Sequence, residues 1–183
     1  VGADRVINTS AHWMDEDDRS YLDMSTVRNG NVTVNIQSGN VADFVGASSA
    51  INLSNTYLCY ETSSGSIFEI WLTGNSTEAT VNGDVDINVQ DSASIAGLIG
   101  GGSAIALGGN SISTVTGGSK ITLSSKTLGS DLEGISLGVI GGGLSVATAD
   151  GSSQAEVQQG TTVTLEKGLS AGVIGGGISA ASD

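Results

Sequence analysis

The chain has 183 residues, enough for one domain with a substantial core, and its 6 Lys and Arg stand against 19 Asp and Glu for a formal net charge of -13. That balance excludes nucleic acid and anionic membrane surfaces as partners, because phosphate binding needs clustered cations. With 28 Gly, no Pro, 4% aromatic and 38% hydrophobic residues, the chain is no disordered tract and builds its core from Val, Ile, Leu and Ala on pleated strands.

Residues 1–23 read as a non-repeat N-terminal cap. His12, Trp13, Met14 and the acidic run Asp15-Glu16-Asp17-Asp18 lie here, followed by Arg19, Tyr21 and Leu22. Trp13, Tyr21 and Leu22 cover the open end of the repeats in this reading. The acidic run offers hard oxygen ligands for calcium, although the spacing of an EF-hand loop is absent and a solvated charged face is the alternative. From Val1 onward no positively charged segment and apolar run reads as a signal peptide, so the expectation is that a signal was removed or that the chain is a piece of something longer.

From residue 24 to 183 two boxes alternate. The first is Thr26-Val27-Arg28-Asn29-Gly30 and Val32-Thr33-Val34-Asn35-Ile36, repeated from Thr80 to Val89, from Thr114 to Leu123 and from Val157 to Leu165. A strand end meets an Asn/Gly turn, then a strand alternates with period two: Val85, Ile87 and Val89 face one way, Asp84, Asp86 and Asn88 the other. The second box begins as Phe44-Val45-Gly46-Ala47-Ser48-Ser49-Ala50-Ile51. It sharpens into Gly97-Leu98-Ile99-Gly100-Gly101-Gly102, Gly138-Val139-Ile140-Gly141-Gly142-Gly143 and Gly172-Val173-Ile174-Gly175-Gly176-Gly177, at spacings of 54, 41 and 34. Each is followed by a run of small and apolar residues, such as Ser103-Ala104-Ile105-Ala106-Leu107.

Between the boxes, an insertion near 54–72 carries Tyr57, Tyr60, Phe68 and Trp71, read as core or as a contact surface. Cys59 lies within it; alone in the chain, it forms no internal disulfide and reads as a buried, inert thiol. A second insertion falls at Ser124 to Glu133. The longest uncharged stretches, such as Ser94 to Gly109, are too short and too rich in Gly and Ser to span a bilayer.

The Gly triplets predict corners where one coil passes so close to the next that a side chain would push them apart. The spacing Gly97–Gly101 also fits a helical glycine zipper, but each Gly costs a helix about 1 kcal/mol relative to Ala and no helical period flanks it. The fold class is therefore all-β, a parallel β-solenoid with a short cap, each 34-residue unit making two coils of 17. A β-sandwich is the alternative.

These boxes, with Val-x-Gly-x-x-x-Ile-x-Leu after the Gly triplet, resemble the repeats of bacterial autotransporter passengers and related large surface adhesins. The resemblance covers residues 24 to 183. It implies a right-handed parallel β-helix displayed outside a Gram-negative-type cell for adhesion or self-association. Two departures stand out. No segment reads as the family's membrane-embedded β-barrel, and Ile99, Ile140 and Ile174 replace the familiar aromatic before the triplet.

Catalytic alternatives find little support. Asp84, Asp86 and Asp91 sit close enough in sequence for a paired-carboxylate site on a polysaccharide. Counted along the repeats, however, Asp84 and Asp86 are matched by Asn31 and Thr33, Lys120 and Thr122, and Thr162 and Thr164, as on an exposed face. His12 lies beside no nucleophile turn, and the Gly triplets precede no phosphate-binding Lys. The expectation is a non-catalytic, extracellular protein of a bacterial cell surface, without catalytic or cofactor residues, working by adhesion or self-association. Alternatives are a filament subunit docking through an uncapped end, and a polysaccharide-binding or polysaccharide-degrading β-helix protein. Partners would be neighbouring copies, or a host or cell-surface glycan or protein; no membrane insertion is expected.

Overall fold

Period-two alternation decides which side of each strand is buried. Val85, Ile87 and Val89 are at most 1% exposed, while Asp86 and Asn88 between them turn outward. The computed structural model describes residues 1–8, 24–53, 57–61, 65, 67–71, 76–107, 109–125, 135–148, 151–167 and 169–182.

The chain winds through three sheets in a fixed order. The first pass consists of β1 (Arg5–Asn8), β2 (Met24–Asn29) and β3 (Val32–Val45). The second contains β4 (Ser49–Asn52), a hairpin of β5 (Tyr57–Glu61) and β6 (Ile67–Trp71), then β7 (Ser76–Asn82) and β8 (Val85–Ile99). The third contains β9 (Ser103–Ala106), β10 (Asn110–Val115), β11 (Ser119–Ser125) and β12 (Ile135–Ile140). The fourth contains β13 (Leu144–Thr148), β14 (Ser152–Val157), β15 (Thr161–Lys167) and β16 (Leu169–Ala171), and β17 (Ile178–Ser182) opens the next.

Like strands stack. Sheet I is β1-β4-β9-β13-β17, sheet II is β2-β7-β10-β14, and sheet III gathers β3, β8, β11, β12, β15 and β16. Every pairing in these sheets is parallel, the opposite of a sandwich of antiparallel strands. Among the described residues, antiparallel pairing is confined to β5 and β6, where Tyr57 stands opposite Trp71 and Tyr60 opposite Phe68. No helix occurs among the described residues, so the zipper alternative for the Gly boxes has no place there. Ser49 pairs with Ser103, Ser103 with Leu144 and Leu144 with Ile178, reproducing the box spacings of 54, 41 and 34.

Three expectations are corrected. A 34-residue unit makes one pass, not two coils of 17: from Leu144 the chain runs through β13, β14 and β15, one strand in each of the three sheets, before Ile178 returns beside Leu144. Residues 1–8 belong to the stack rather than to a cap, since β1 pairs with β4 in register from Arg5–Ser49 to Asn8–Asn52. The signal was legible: Val1-Gly2-Ala3-Asp4-Arg5-Val6-Ile7-Asn8 repeats Val45-Gly46-Ala47-Ser48-Ser49-Ala50-Ile51-Asn52. Finally, Val27 aligns with Thr80 and Arg28 with Val81, one place away from the match of the two Thr-Val pairs. Val27 is accordingly 56% exposed.

The corners explain the Gly triplets. Gly100 donates its amide to the Ile140 carbonyl at 2.7 Å, and Gly141 repeats this to Ile174 at 2.7 Å. A Cβ added at Gly100 or Gly141 would stand 2.7 or 2.8 Å from the carbonyl oxygen of the next corner. The first Gly of each box has another role: Gly97, Gly138 and Gly172 have φ of 75, 62 and 65°, a conformation that disfavours a side chain. In the degenerate copy that place falls to Asp43, with φ of 51°.

The interior is divided. Under sheet III lie Ile87, Val89, Ile95, Leu98, Ile121 and Leu123, all buried, each contributing about 1.5–3 kcal/mol relative to exposure. Between sheets I and II the seam is narrow and filled by small residues. Ser111 donates to the Ala50 carbonyl at 2.7 Å and Ser113 to the Ser48 carbonyl at 3.0 Å, tying sheet II to the earlier pass of sheet I.

Candidate functional site

The polar and charged candidate groups lie on the outward faces of the sheets and their turns. Of the acidic residues singled out in the sequence, Asp84 lies in the turn from sheet II to sheet III, and Asp86 and Asp91 follow on β8. Asp84 is exposed, and its Oδ1 accepts the Gly118 amide at 2.8 Å. Its own amide donates to Asn31 Oδ1 at 3.0 Å. This carboxylate thus works as a turn brace. Asp86 turns outward between Thr33 and Lys120 of the neighbouring strands, and its Oδ1 is buried without a hydrogen-bond partner. Asp91 pairs with Ser125 in the backbone ladder, and its side chain lies outside the described ones.

The register corrects the repeat alignment of these acids. Lys120 stands beside Asp86, not Asp84, and Thr162 follows Lys120 in the same column. Asp84 meets Gly118 instead. The discrepancy arises because the third turn is Thr116-Gly117-Gly118, and the strand after it begins at Ser119, earlier than its apolar Ile121 announces.

Asp84, Asp86, Lys120, Gln159, Thr161 and Thr162 border an open groove of about 400 Å³. It presents carboxylate, ammonium, amide and hydroxyl groups, suited to hydrogen bonding with a polar ligand. Among the described residues, no three His, Cys, Asp or Glu side chains gather to hold a metal ion. His12 and the acidic run from Asp15 to Asp18 lie outside the described residues, as do the side chains of Cys59 and of the aromatic hairpin.

The three flanks differ in chemistry. Sheet II turns Glu78, Asn82 and Glu156 outward, and sheet III turns Asp86, Lys120 and Glu166 outward. Sheet I turns Ile7, Ile51, Ile105 and Val146 outward instead, in one column across four strands. Sequence reasoning missed this flank because it noted small and apolar residues in the short strands after each Gly corner without assigning either set a side.

A Cβ at Gly175 or Gly176 would meet nothing within 4 Å, whereas at Gly142 it would lie 2.8 Å from Gly176. Comparison of the chain with protein-family models, with curated proteins and with solved structures finds no match in any of the three.

Proposed function

We propose that the chain is a right-handed parallel β-solenoid that serves as a non-catalytic scaffold outside a bacterial cell, acting through its flanks in adhesion or self-association. The observation that carries this reading is the contrast between the two sides of sheet III. Inward, the column Val34, Ile87, Ile121 and Val163 keeps one aliphatic class through four passes. Outward, Thr33, Asp86, Lys120 and Thr162 change chemistry at each pass. A constant frame with a changeable outer face is how repeat proteins display binding surfaces. The net charge of -13 favours a soluble, well-hydrated surface, and the resemblance of the boxes to surface-adhesin repeats supplies the bacterial, extracellular setting.

The test is to coat beads with the protein and measure bead clumping together with retention on cultured cells and immobilised glycans. Saturable clumping or retention is expected. Beads that stay dispersed and unretained would overturn the reading.

A second reading, a filament subunit, is favoured by the corner geometry. The bonds from Gly100 to Ile140 and from Gly141 to Ile174 repeat from pass to pass, so each pass offers its neighbour the same donors and acceptors. Head-to-tail stacking of copies is heterologous and non-closing, and so gives fibres. Negative-stain microscopy with light scattering across a concentration series would show fibres of constant width; a strictly monomeric rod would remove this reading.

A further inference from the structure

Sheet I carries an apolar outer face in a strongly acidic protein. Its central column is Ile7, Ile51, Ile105 and Val146, adjacent in the parallel register. Beside it, Leu53 and Leu107 follow β4 and β9 and are linked by the bond from the Leu107 amide to the Asn52 carbonyl at 2.8 Å. Ile7, Leu53 and Leu107 are 41, 40 and 40% exposed. Outward-facing charge on this sheet, among the described residues, is limited to Arg5. Contiguous apolar patches of this kind on a soluble protein mark interaction surfaces.

We propose that this face binds a second copy of the chain, outer face of sheet I against outer face of sheet I, around a two-fold axis. The inference deepens the self-association reading above and rests on it. Two observations select this occupant. An aliphatic face lacking acidic groups asks of its partner only another flat apolar sheet, and this protein itself provides one; a two-fold contact needs the same patch on both sides. Charge agrees, because meeting through sheet I turns the acidic side chains of sheets II and III, Glu78, Glu156, Asp86 and Glu166, away from the contact. An anionic lipid surface lacks that complementarity and repels the chain.

Size sets the strength. Five strands about 4.8 Å apart, with about five residues of 3.3 Å each, cover roughly 400 Å² per copy. Twice that lies in the range of weak, transient contacts. Pairing is therefore weak between free molecules and gains from repetition when many copies are held on one surface.

Sedimentation equilibrium over a concentration series tests the proposal. The mass of the wild-type protein is expected to rise from 18.2 kDa towards twice that value, and more readily in added salt, which screens the repulsion between acidic copies. Ile51→Lys with Ile105→Lys is expected to weaken association at least roughly tenfold, since an unpaired ammonium in an apolar contact is costly. Leu53→Lys with Leu107→Lys alters more exposed positions and guards against a folding defect. Thr122→Lys, on sheet III, is expected to associate as wild type does. Circular dichroism and thermal melting check that each variant is folded. Folded variants of sheet I that associate like wild type overturn the proposal, and if coated beads still clump, self-association survives through another face. A wild-type protein that stays at 18.2 kDa at all concentrations, on beads that never clump, overturns both this face and the self-association reading.

Discussion

The amide of Gly118 donates to Oδ1 of Asp84 across one pass, at 2.8 Å. The carboxylate takes the place of a backbone acceptor where the turn has none to offer. Asp84→Ala is expected to destabilise the fold by about 1 kcal/mol, the usual net worth of one hydrogen bond. Asp84→Asn keeps an acceptor oxygen and is expected to stay within about 0.5 kcal/mol of wild type. Urea denaturation of the two variants measures the difference, and equal losses would mean that the negative charge matters rather than the bond.

Glycines of the same box are expected to respond in opposite ways. A Cβ at Gly101 would stand 2.7 Å from Val157 Cγ2 and 2.9 Å from the Gly142 carbonyl carbon. Gly101→Ala forces the passes apart and should cost about 1–3 kcal/mol. At Gly176 the same atom meets nothing within 4 Å, so Gly176→Ala should be neutral or gain a few tenths of a kcal/mol from a stiffer unfolded chain. Melting temperatures of the pair decide the matter; a shared shift would refute the close-approach account.

The seam between sheets I and II depends on small hydroxyl side chains. Ser113→Ala removes the donor to the Ser48 carbonyl and should cost about 1 kcal/mol. Ser113→Val should cost more, because the site of the Gly102 Cβ already lies against Ser113 and overpacking adds about 1–3 kcal/mol. Chemical denaturation orders the two, and a valine variant as stable as the alanine one would show the seam to be roomy.

Ile121 is fully buried, whereas Leu165, two residues beyond the equivalent Val163, is 52% exposed. Ile121→Ala should therefore cost about 2–5 kcal/mol. Leu165→Ala should fall near 0.5 kcal/mol. Unfolding free energies of both variants test whether the inward columns carry load evenly along the stack.

Much of this architecture was legible in the residues. Period-two alternation placed Val85, Ile87 and Val89 inside, and the recurrence of Gly-Gly-Gly located each corner, because backbone contact between passes admits no side chain. The pairing distance was written in the box spacings. What failed was counting. A repeat spacing fixes how much chain separates equivalent residues but not how often it turns on the way, so one long pass was read as two short coils. The Asp86–Lys120 pairing was hidden because Ser119 occupies an apolar column, and polar residues in inward positions break the alternation used to align the strands. The copy at Val1–Asn8 was missed because Asp4 and Arg5 replace the small residues of Ser48 and Ser49. The apolar outer face of sheet I could have been found by reading Ile51, Ile105 and Val146 down the repeats rather than along them.

The excursion between Leu53 and Ser76 leaves the ladders on both sides undisturbed. β4 still pairs with β9, and β7 with β10, in unbroken register, although the equivalent link in the following pass is only residues 107–109. Lengthening such a link costs little, about 0.6 kcal/mol for each doubling. The site therefore behaves as a socket: a peptide added there is expected to leave β4 paired with β9 and β7 with β10, because the link's length is not part of either ladder.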